Sequence, residues 1–433
     1  MAFKLPRGMR DLEPEDYSLL ERIREAFVET CKLFGFKLME PSPIEMLSTL
    51  EAKSGAGIKD EIYCFKDKSG RDVGLRFDLT VGITRYVASR RDLQLPIKLA
   101  SFGGMWRYDE PQYGRYRWFY QWDAEIFGPS CIEADAEVID LTSSLLERLG
   151  LTDVVIRIGD RKLVEDFIRK KLRVEDDSII LEMLRALDKL GKKEPSKLID
   201  EYEAKGVKRP YLERLMELTK IKGDPDKVLR ELDQELDSSA LSKLSDVLRA
   251  RGMKNFEIDL SIVRGLDYYT GIVFEAYTGD ERLGAIAGGG RFDILPKVFG
   301  RQDIGATGVA GGVERTMLAL SRTQKKTADA TLVFIGLVGR ELMSVAMRIA
   351  SELRRKGIAT DVELLGRSLR RQLEDVSSRR IPFFVIVAPK EYSEGKVVLR
   401  DMVKAEEEAV NIEELASSIR QRLHKTNFKY FIV

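Results

Sequence analysis

The stretch of sequence that decides the fold is residues 101–128, SFGGMWRYDEPQYGRYRWFYQWDAEIFG. It predicts two β-strands joined by a turn at residues 111–114. Side chains alternate between the two faces of a strand, so odd and even positions lie on opposite faces. The polar residues at odd positions are Arg107, Asp109, Arg115, Arg117, Gln121, Asp123 and Glu125. The even positions carry Trp106, Tyr108, Tyr116, Trp118, Tyr120, Trp122, Ala124 and Ile126.

One face of this hairpin is therefore charged and the other is aromatic. A polar hairpin face is usually just exposed to solvent. Three arginines, three acids and a glutamine on one face are, however, rich in specific hydrogen-bonding groups. This richness favours a pocket for a ligand that carries phosphate and cationic groups.

Length and composition limit the class of protein. A chain of 433 residues predicts two or three domains, and 44% hydrophobic with 33% charged residues fits a globular protein with a substantial core. The net charge of +1 gives no overall basic signature, so nucleic-acid binding has to be argued locally. The sequence shows no signal peptide and no apolar run of about 18 residues, which predicts a cytoplasmic protein without a membrane span.

Cysteine and histidine usage excludes several chemistries. Three widely spaced cysteines give neither a disulfide framework nor a zinc pattern, and they favour a reducing compartment. The single histidine, His424, rules out a multi-histidine metal site and makes a Ser-His-Asp triad depend on one residue near the C-terminus. No P-loop sequence is present. We predict no metal held by protein side chains.

Hydrophobic periodicity predicts the elements around the hairpin. In order, they are a helix at 14–34, a strand at 36–39, a strand leading into a helix within 71–89, a helix at 133–149, a helical insertion at about 160–251 without strand signals, and a strand at 256–277 that contains RGLDYY. The insertion is rich in Leu, Lys, Glu and Asp. The insertion is either a solvated helical bundle or a surface that binds a partner.

Two glycine-rich pieces follow, AGGGRFD at 287–293 and GATGVAGGVER at 305–315. The second opens a helix, and glycines at that place permit close backbone approach of a ligand to the helix N-terminus. Such a piece also marks tight bends, but Arg315 beside it favours a ligand. After a polar linker at 323–329 the pattern becomes β-α-β-α-β, then a strand and a last helix near 412–424, which predicts a separate α/β domain.

Together these pieces resemble the class II aminoacyl-tRNA synthetases, and specifically the histidyl-tRNA synthetases. The hairpin resembles motif 2 of that class, and GATGVAGGVERTMLAL resembles motif 3. The first helix with EPSPIEM resembles motif 1, which forms the dimer interface in the family. RGLDYYTGIVFE and AGGGRFD resemble two histidine-specific signatures, and the C-terminal part resembles the family's anticodon-binding domain.

The resemblance implies an α/β (α+β) fold with an antiparallel-sheet catalytic core. It implies a catalytic domain at 1–325, with the helical insertion at about 160–251, and an α/β anticodon-binding domain at 329–433. The implied activity is ATP-dependent attachment of L-histidine to tRNA(His) through a histidyl-adenylate. The implied partners are ATP with Mg²⁺, L-histidine, tRNA(His) and a second copy of the chain in a homodimer, with no membrane.

The implied ATP-binding residues are mainly arginines. Neither reaction step needs a protein nucleophile, but both need positive charge around crowded phosphate oxygens. The resemblance places Arg107 at the α-phosphate and Arg315 at the terminal phosphates, with Arg115 also toward ATP. Arg264 supplies a further cation near the α-phosphate, where other class II enzymes have magnesium or another base. Arg107 and Arg264 are thus the implied catalytic residues, and Arg264 also lies at the histidine.

The implied histidine-binding residues divide by the end of the ligand they serve. Asp78, Thr80 and Gln121 match the family positions at the α-ammonium group. Glu125 and Tyr269 match those at the two imidazole nitrogens, and Tyr268 lines the pocket. A carboxylate that accepts from one ring N–H and a phenol that bonds the other nitrogen strongly reject ligands without these groups.

The sequence departs from the family pattern in motif 2. The usual x-Glu-Arg-Pro-Gln is replaced by residues 108–112, YDEPQ, so the carboxylate that faces adenine is either Asp109 or Glu110. The motif 1 proline is either Pro41 or Pro43.

In the C-terminal domain, basic residues are predicted to share one helix face, which is either solvated or a contact for tRNA phosphates. They are Arg367, Arg370 and Arg371 within one turn, followed by Arg379 and Arg380.

Two other functions compete with this one. The synthetase-like regulatory subunit of ATP phosphoribosyltransferase typically lacks the C-terminal domain, and its RGLDYY signature is degraded. This chain has both the C-terminal domain and the intact signature, which argues against that function. A class II synthetase for proline or threonine is opposed by RGLDYYTG and Glu125.

Overall fold

The structure is a computed structural model. It describes residues 3–54, 56–110, 114–190, 193–232, 236–263, 268–323 and 331–425. Arg264, and most of the predicted turn at 111–114, lie outside the described residues. The chain divides into two compact units, Met1–Gln324 and Lys325–Val433.

The first unit is built on a large mixed sheet. Its strands are β1 (Lys37–Leu38), β2 (Ile44–Met46), β3 (Cys64–Lys66), β4 (Asp72–Leu75), β5 (Ile97–Trp106), β6 (Trp118–Gly128), β7 (Val155–Asp160), β8 (Lys222–Gly223), β9 (Phe256–Asp259), β10 (Ile272–Tyr277), β11 (Ala285–Arg291) and β12 (Gly305–Gly312). Nine of the described strands form the main sheet, in the order β1-β5-β6-β12-β11-β10-β7-β9-β8. A small sheet has the order β2-β4-β3.

Helices pack against both faces of the main sheet and form the insertion. They are α1 (Pro14–Leu33), α2 (Leu47–Ser54), α3 (Thr80–Ser89), α4 (Ile132–Arg148), α5 (Arg161–Asp166), α6 (Asp177–Asp188), α7 (Pro195–Glu203), α8 (Arg209–Leu218), α9 (Pro225–Leu232), α10 (Ser239–Ala250), α11 (Ile294–Val298) and α12 (Val313–Thr323). Helix α1 begins with a proline at its first turn and buries Leu20, Ile23 and Phe27 at helical spacing.

The hairpin forms as predicted from its period of two. Strands β5 and β6 are antiparallel, with Trp106 opposite Trp118. The even face of β6 is part of the main core: Trp122 is completely buried, and its ring lies 5.5 Å from that of Phe27 on α1. The odd face of β6 points away from α1 and forms the site described below.

The prediction of one continuous strand at 256–277 is wrong. Strand β9 ends at Asp259 and β10 begins at Ile272, with Tyr268 and Tyr269 between them. Residues 264–267 of the RGLDYY segment lie outside the described residues. The two strands flank β7, parallel on one side and antiparallel on the other, so the chain has to cross over β7. Gly159 permits this crossing, because a Cβ atom there would lie 2.1 Å from the carbonyl oxygen of Ile262.

The two glycine-rich pieces are strands rather than turns, and Gly288, Gly308 and Gly312 within them line the cavity described below. They form β11 and β12, which pair antiparallel, and α12 starts directly after β12. Backbones approach closely here: a Cβ at Gly289 would lie 1.9 Å from the carbonyl oxygen of Gly308. The insertion also departs from expectation, because the two-residue strand β8 within it pairs with β9.

The second unit is an α/β layer structure. Its strands are β13 (Val333–Leu337), β14 (Thr360–Val362), β15 (Phe383–Val387), β16 (Lys396–Asp401) and β17 (Glu406–Asn411), and its helices are α13 (Met343–Arg355), α14 (Leu369–Ser378), α15 (Pro389–Ser393) and α16 (Leu415–Lys425). The strand order is β14-β13-β15-β16-β17. Strand β17 was not predicted, because EEEAVN lacks an alternating pattern, and its burial is confined to Val410.

The prediction that Arg367, Arg370 and Arg371 share one basic helix face in this unit is wrong in part. Arg367 precedes α14 and pairs with Glu363 at 2.7 Å and with Asp375 at 3.1 Å. Arg379 follows the helix and pairs with Asp361 at 2.7 Å. Arg370 and Arg371 are exposed on α14, where Arg370 forms an exposed ion pair with Glu374 at 3.0 Å.

The fold class predicted from the sequence is confirmed by this mixed architecture. Among the helices that the structure describes, none is both long and apolar enough to span a bilayer.

Candidate active site

A cavity of about 1490 Å³ lies over the odd face of β6 and the neighbouring strands. It is lined by ten of the eleven residues predicted from the sequence: Asp78, Thr80, Arg107, Asp109, Arg115, Gln121, Glu125, Tyr268, Tyr269 and Arg315. The eleventh, Arg264, lies outside the described residues. Residues from four separate stretches of sequence thus converge on one space.

Arg107 is held in place at the end of the hairpin. Its Nε donates a hydrogen bond of 2.9 Å to the carbonyl oxygen of Phe77, and its Nη2 donates one of 3.4 Å to Oε1 of Gln121. Its guanidinium carbon lies 5.1 Å from the centre of the Phe119 ring. A guanidinium has five N–H donors, so these contacts fix its orientation and leave donors for a ligand.

The floor of the cavity combines buried polar side chains with small residues. Glu125 is only 1% exposed, and Asp78, Thr80 and Gln121 are also buried. Asp78 accepts a 3.1 Å hydrogen bond from the backbone N–H of Val81 in the first turn of α3. Gly308 lies opposite Glu125 in β12, and a Cβ at Gly308 would lie 2.8 Å from Cγ of Glu125. The glycine therefore leaves room beside this carboxylate.

Two stacked tyrosines form one wall of the cavity. The rings of Tyr268 and Tyr269 have centres 4.6 Å apart, and Tyr268 meets Phe292 edge-on at 5.8 Å. Both tyrosines are 7% exposed and belong to a hydrophobic cluster with Val273 and Leu79. Apolar and aromatic walls of this kind are typical of pockets for small ligands.

The start of α12 also lines the cavity, with Glu314 and Arg315. Arg315 donates a 2.7 Å hydrogen bond from Nη1 to the carbonyl oxygen of Ala285. Its neighbour Glu314 accepts bonds of 3.0 and 3.1 Å from the backbone N–H of Tyr120, and one of 3.2 Å from Arg10. Burial raises the pKa of Glu314, which these donors oppose only in part.

The motif 2 carboxylates differ in where they point. Asp109 lines the cavity, whereas Glu110 is exposed and pairs with Arg7 at 2.8 Å. Two other polar residues of the hairpin do not line the cavity. Arg117 donates to the carbonyl oxygen of Asp109 at 3.1 Å and stacks on Tyr108, and buried Asp123 accepts a 3.4 Å bond from Thr80.

With this geometry established, comparison with known proteins identifies the family. The family model described as "Histidyl-tRNA synthetase" matches residues 8–316, and the one described as "Anticodon binding domain" matches residues 332–422. The chain belongs to the histidyl-tRNA synthetase family. The resemblance predicted from its motifs is thereby confirmed.

Relatives and solved structures match over nearly the whole chain. Histidine--tRNA ligase of Pyrococcus furiosus is 38% identical over 96% of this chain and 98% of its own length. That of Pyrobaculum calidifontis is 37% identical over 94% of this chain and 96% of its own length. A crystal structure of histidyl-tRNA synthetase from Nostoc sp. superposes with a TM-score of 0.84 at 26% identity, covering 98% of this chain and 100% of that one.

Phe119 and Glu314 are among the cavity residues that were not predicted from the sequence. Phe119 stands at an odd position, so the alternation that located Gln121 and Glu125 also places its ring on the cavity face. Glu314 is adjacent to Arg315 in the sequence of this family's motif 3, but nothing in the pattern indicated that it bonds the backbone of β6.

The signature AGGGRFD at residues 287–293 has a structural role through its arginine. That residue, Arg291, is not among the residues that line the cavity. Arg291 on β11 makes hydrogen bonds of 2.9 and 3.1 Å to the carboxylate of Asp135 on α4. Burial of that carboxylate raises the pKa of Asp135 to about 6, against the effect of Arg291. The pair ties the sheet to the helix behind it.

No group of three or more His, Cys, Asp or Glu side chains is arranged to hold a metal ion within the part of the chain that the structure describes.

Proposed function

We propose that this chain attaches L-histidine to tRNA(His) in two steps and uses ATP to activate the amino acid. The observation that carries the proposal is the single cavity where buried carboxylates, two stacked tyrosines and separately anchored arginines meet. Each kind of group suits one part of a histidyl-adenylate, whose imidazole and ammonium are cationic or polar and whose phosphate is anionic.

In the first step, a carboxylate oxygen of histidine attacks the α-phosphorus of ATP. A new P–O bond forms, the bond to the leaving pyrophosphate breaks, and negative charge spreads over the phosphate oxygens. Arg107 is proposed to bind the α-phosphate and Arg315 the terminal phosphates, with Arg115 nearby and Arg264 assigned on its sequence motif alone. Preorganised donors of this kind stabilise developing charge without reorganising.

Magnesium is proposed to arrive with ATP. The cationic side chains beside the proposed phosphate positions, Arg107 and Arg315, are not ligands for Mg²⁺, which prefers oxygen donors. The ion would therefore be held by ATP oxygens and water, and its chemical contribution would be to neutralise phosphate charge.

Histidine recognition is proposed to use the buried end of the cavity. Glu125 would accept a hydrogen bond from one imidazole N–H, and Tyr269 would bond the other ring nitrogen, with Tyr268 stacked behind it. Asp78, Thr80 and Gln121 would bind the α-ammonium group. Because Glu125 is almost completely buried, a ligand without a matching donor would leave a desolvated carboxylate unpaired, which costs several kcal/mol.

The adenine is proposed to lie against the ring of Phe119, since bases stack favourably on aromatic side chains. Asp109, rather than Glu110, is the carboxylate that we assign to the exocyclic amine. Asp109 lines the cavity, whereas Glu110 is paired with Arg7 at the surface.

In the second step, a hydroxyl of the terminal ribose of tRNA attacks the carbonyl carbon of the adenylate. An ester bond forms and AMP leaves. We assign residues 329–433 to anticodon binding and 1–325 to catalysis. The exposed side chains of Arg370 and Arg371 on α14 are suited to contact phosphates of the tRNA backbone. The proposed location of the reaction is the cytoplasm.

A homodimer is proposed through the motif 1 region. Large apolar side chains are exposed on strands β1, β2 and β3, at Leu38, Ile44, Met46 and Phe65. Exposed apolar side chains concentrated in one region often mark an interface between subunits.

The deciding experiment is exchange of labelled pyrophosphate into ATP with each of the twenty amino acids in turn. Exchange that depends on histidine alone is the expected result. Exchange that depends on proline or threonine would assign a different synthetase activity, and absence of exchange with every amino acid would favour a regulatory subunit. Charging of a tRNA(His) transcript with labelled histidine then tests the second step.

A further inference from the structure

A short stretch before the first helix, residues 7–10 (RGMR), is joined to the hairpin. The backbone N–H of Arg117 donates a hydrogen bond of 2.9 Å to the carbonyl oxygen of Gly8. The guanidinium carbon of Arg10 lies 3.9 Å from the centre of the Tyr116 ring, a distance at which a cation and an aromatic face attract. The stretch is therefore fastened to the arm of the hairpin that leads into β6.

Arg10 also reaches the start of α12. Its Nη2 donates a hydrogen bond of 3.2 Å to Oε1 of Glu314, whose carboxylate accepts from the backbone N–H of Tyr120. Gln121 and Gly312 are the last pair in the ladder between β6 and β12. The Glu314 carboxylate therefore takes the strand donor that follows the last pair, and Arg10 supplies its counter-charge.

The two residues that Arg10 contacts are each adjacent in sequence to an arginine assigned to ATP. Glu314 precedes Arg315, and Tyr116 follows Arg115. All four of these neighbours line the cavity, whereas Arg10 is not among the residues that line it. Any effect of Arg10 on a bound substrate is therefore transmitted through the residues that it holds.

The end of the hairpin and the start of α12 lie close together. A Cβ atom at Gly114 would lie 3.8 Å from Cγ of Arg315. Arg115 and Arg315 thus belong to neighbouring segments, and their like charges favour separation of these segments when no anion is bound. The pair of Arg10 with Glu314 opposes this separation, because it links the two segments without adding net charge.

We propose that Arg10 is a positioning residue for ATP. By holding the Glu314 carboxylate and the Tyr116 ring, it fixes the backbone that carries Arg315 and Arg115 before the nucleotide binds. Donors fixed in advance stabilise phosphate charge without reorganising. This assignment rests on the proposed function, because ATP is a substrate of that reaction.

A contact with α1 offers a purely structural alternative. Nη1 of Arg10 lies 3.8 Å from the carboxylate of Asp16 in the first turn of α1, so Arg10 could serve only to anchor this helix. The side chain of Asp16 is 43% exposed, against 6% for that of Glu314. Exposed ion pairs contribute little, so the buried contact is the stronger of the two.

The test compares Arg10→Gln with the unchanged full-length chain in histidine-dependent pyrophosphate exchange. We expect the KM values for ATP and pyrophosphate to rise about 10-fold, because a hydrogen bond between charged groups is lost. The KM for histidine and the inhibition constant of AMP should stay within about twofold, since neither ligand carries the phosphates assigned to Arg315. Arg10→Lys should recover part of the loss, because it keeps a charge beside Glu314. Arg7→Gln, at an exposed ion pair of the same stretch, is the matched control and should leave every KM unchanged.

A double-mutant cycle shows whether Arg10 acts through Glu314. Arg10→Gln combined with Glu314→Gln should raise the KM for ATP no more than the larger single effect, because the two residues belong to one network. Additive effects would overturn the proposal. An equal rise in the KM for histidine would also overturn it, since general loosening predicts that result. Asp16→Asn with the same effect as Arg10→Gln would assign Arg10 to the anchoring of α1.

Calorimetric titration with ATP in the absence of histidine separates this proposal from the proposed function. The dissociation constant of ATP should be about 10-fold higher for Arg10→Gln than for the unchanged chain, as the loss of one charged hydrogen bond predicts. Equal dissociation constants would overturn the role of Arg10. Binding of ATP without any histidine-dependent exchange would sink the proposed function alone, and an unchanged chain that does not bind ATP would overturn both.

Discussion

At the scale of single residues, the site depends on side chains whose orientation is set by groups that are not ligands. Arg107 is anchored by the carbonyl oxygen of Phe77, Arg315 by that of Ala285, and Asp78 by the first turn of α3. Fixing these groups before the substrates bind reduces the entropy lost in the reaction, because little reorientation remains. Two of the proposed roles can be tested by conservative substitutions.

Arg107→Lys keeps a positive charge but removes the planar guanidinium group. That group donates a hydrogen bond to the carbonyl oxygen of Phe77 and is proposed to bind the α-phosphate. We expect kcat for pyrophosphate exchange to fall about 100-fold or more, as for loss of one transition-state donor. The KM for histidine should change little, since the lost interaction belongs to the phosphate. Arg90→Lys, at an exposed ion pair with Asp92, is the control. A large increase in the KM for histidine with unchanged kcat would contradict the assigned role.

Glu125→Gln keeps the shape of a buried side chain but removes its charge. We expect the KM for histidine in the exchange assay to rise about 10- to 100-fold, because a hydrogen bond to a charged group contributes ~1.5–3 kcal/mol. The KM for ATP should stay within a few-fold. Glu110→Gln, at the exposed end of the same hairpin, should leave the KM for histidine as it is. Equal effects of the two substitutions would show that Glu125 has no specific role in binding histidine.

At the scale of elements, the sequence predicted what local periodicity determines. The hairpin has an unambiguous period of two with one aromatic and one polar face, so both its strands and the cavity face of β6 could be predicted. The break between β9 and β10 could not be predicted from local periodicity. It follows from the position of β7 between these two strands in the sheet, which is a feature of the tertiary structure. Glu275 and Tyr277 of β10, which also line the cavity, were not predicted either, because on the sequence they are an ordinary polar pair in a strand.

Strand β12 offers a test of this alternation with two adjacent glycines. A Cβ at Gly311 would lie 2.0 Å from the Trp122 ring, whereas at Gly312 the nearest atom would be Cδ of Arg315 at 3.9 Å. Gly311→Ala should therefore lower the free energy of unfolding by about 2 kcal/mol through overpacking, and Gly312→Ala by well under ~1 kcal/mol. Urea denaturation followed by tryptophan fluorescence measures both. Similar losses would mean that the two positions do not face opposite sides of the sheet.

At the scale of the whole molecule, the chain consists of two units with separate cores. The core of Lys325–Val433 includes buried residues of β13, β15, α13 and α16, among them Ile335, Val385 and Ile419. The described residues that line the candidate active site all belong to Met1–Gln324. Activation of histidine and recognition of the anticodon are therefore assigned to different units, which makes the assignment testable by truncation.

A chain that ends at Gln324 should keep histidine-dependent pyrophosphate exchange within about threefold, because the residues proposed to bind histidine and ATP remain. Its kcat/KM for charging tRNA should fall about 100-fold or more, which corresponds to ~3 kcal/mol of lost binding. The full-length double variant Arg370→Ala with Arg371→Ala is the complement, since it removes only two exposed cations of α14. It should weaken charging more at low salt than at high salt, because loss of phosphate contacts reduces the salt dependence of tRNA binding. Charging that survives truncation unchanged would show that Lys325–Val433 does not bind tRNA, while loss of exchange would mean that the first unit needs the second in order to fold or to activate histidine.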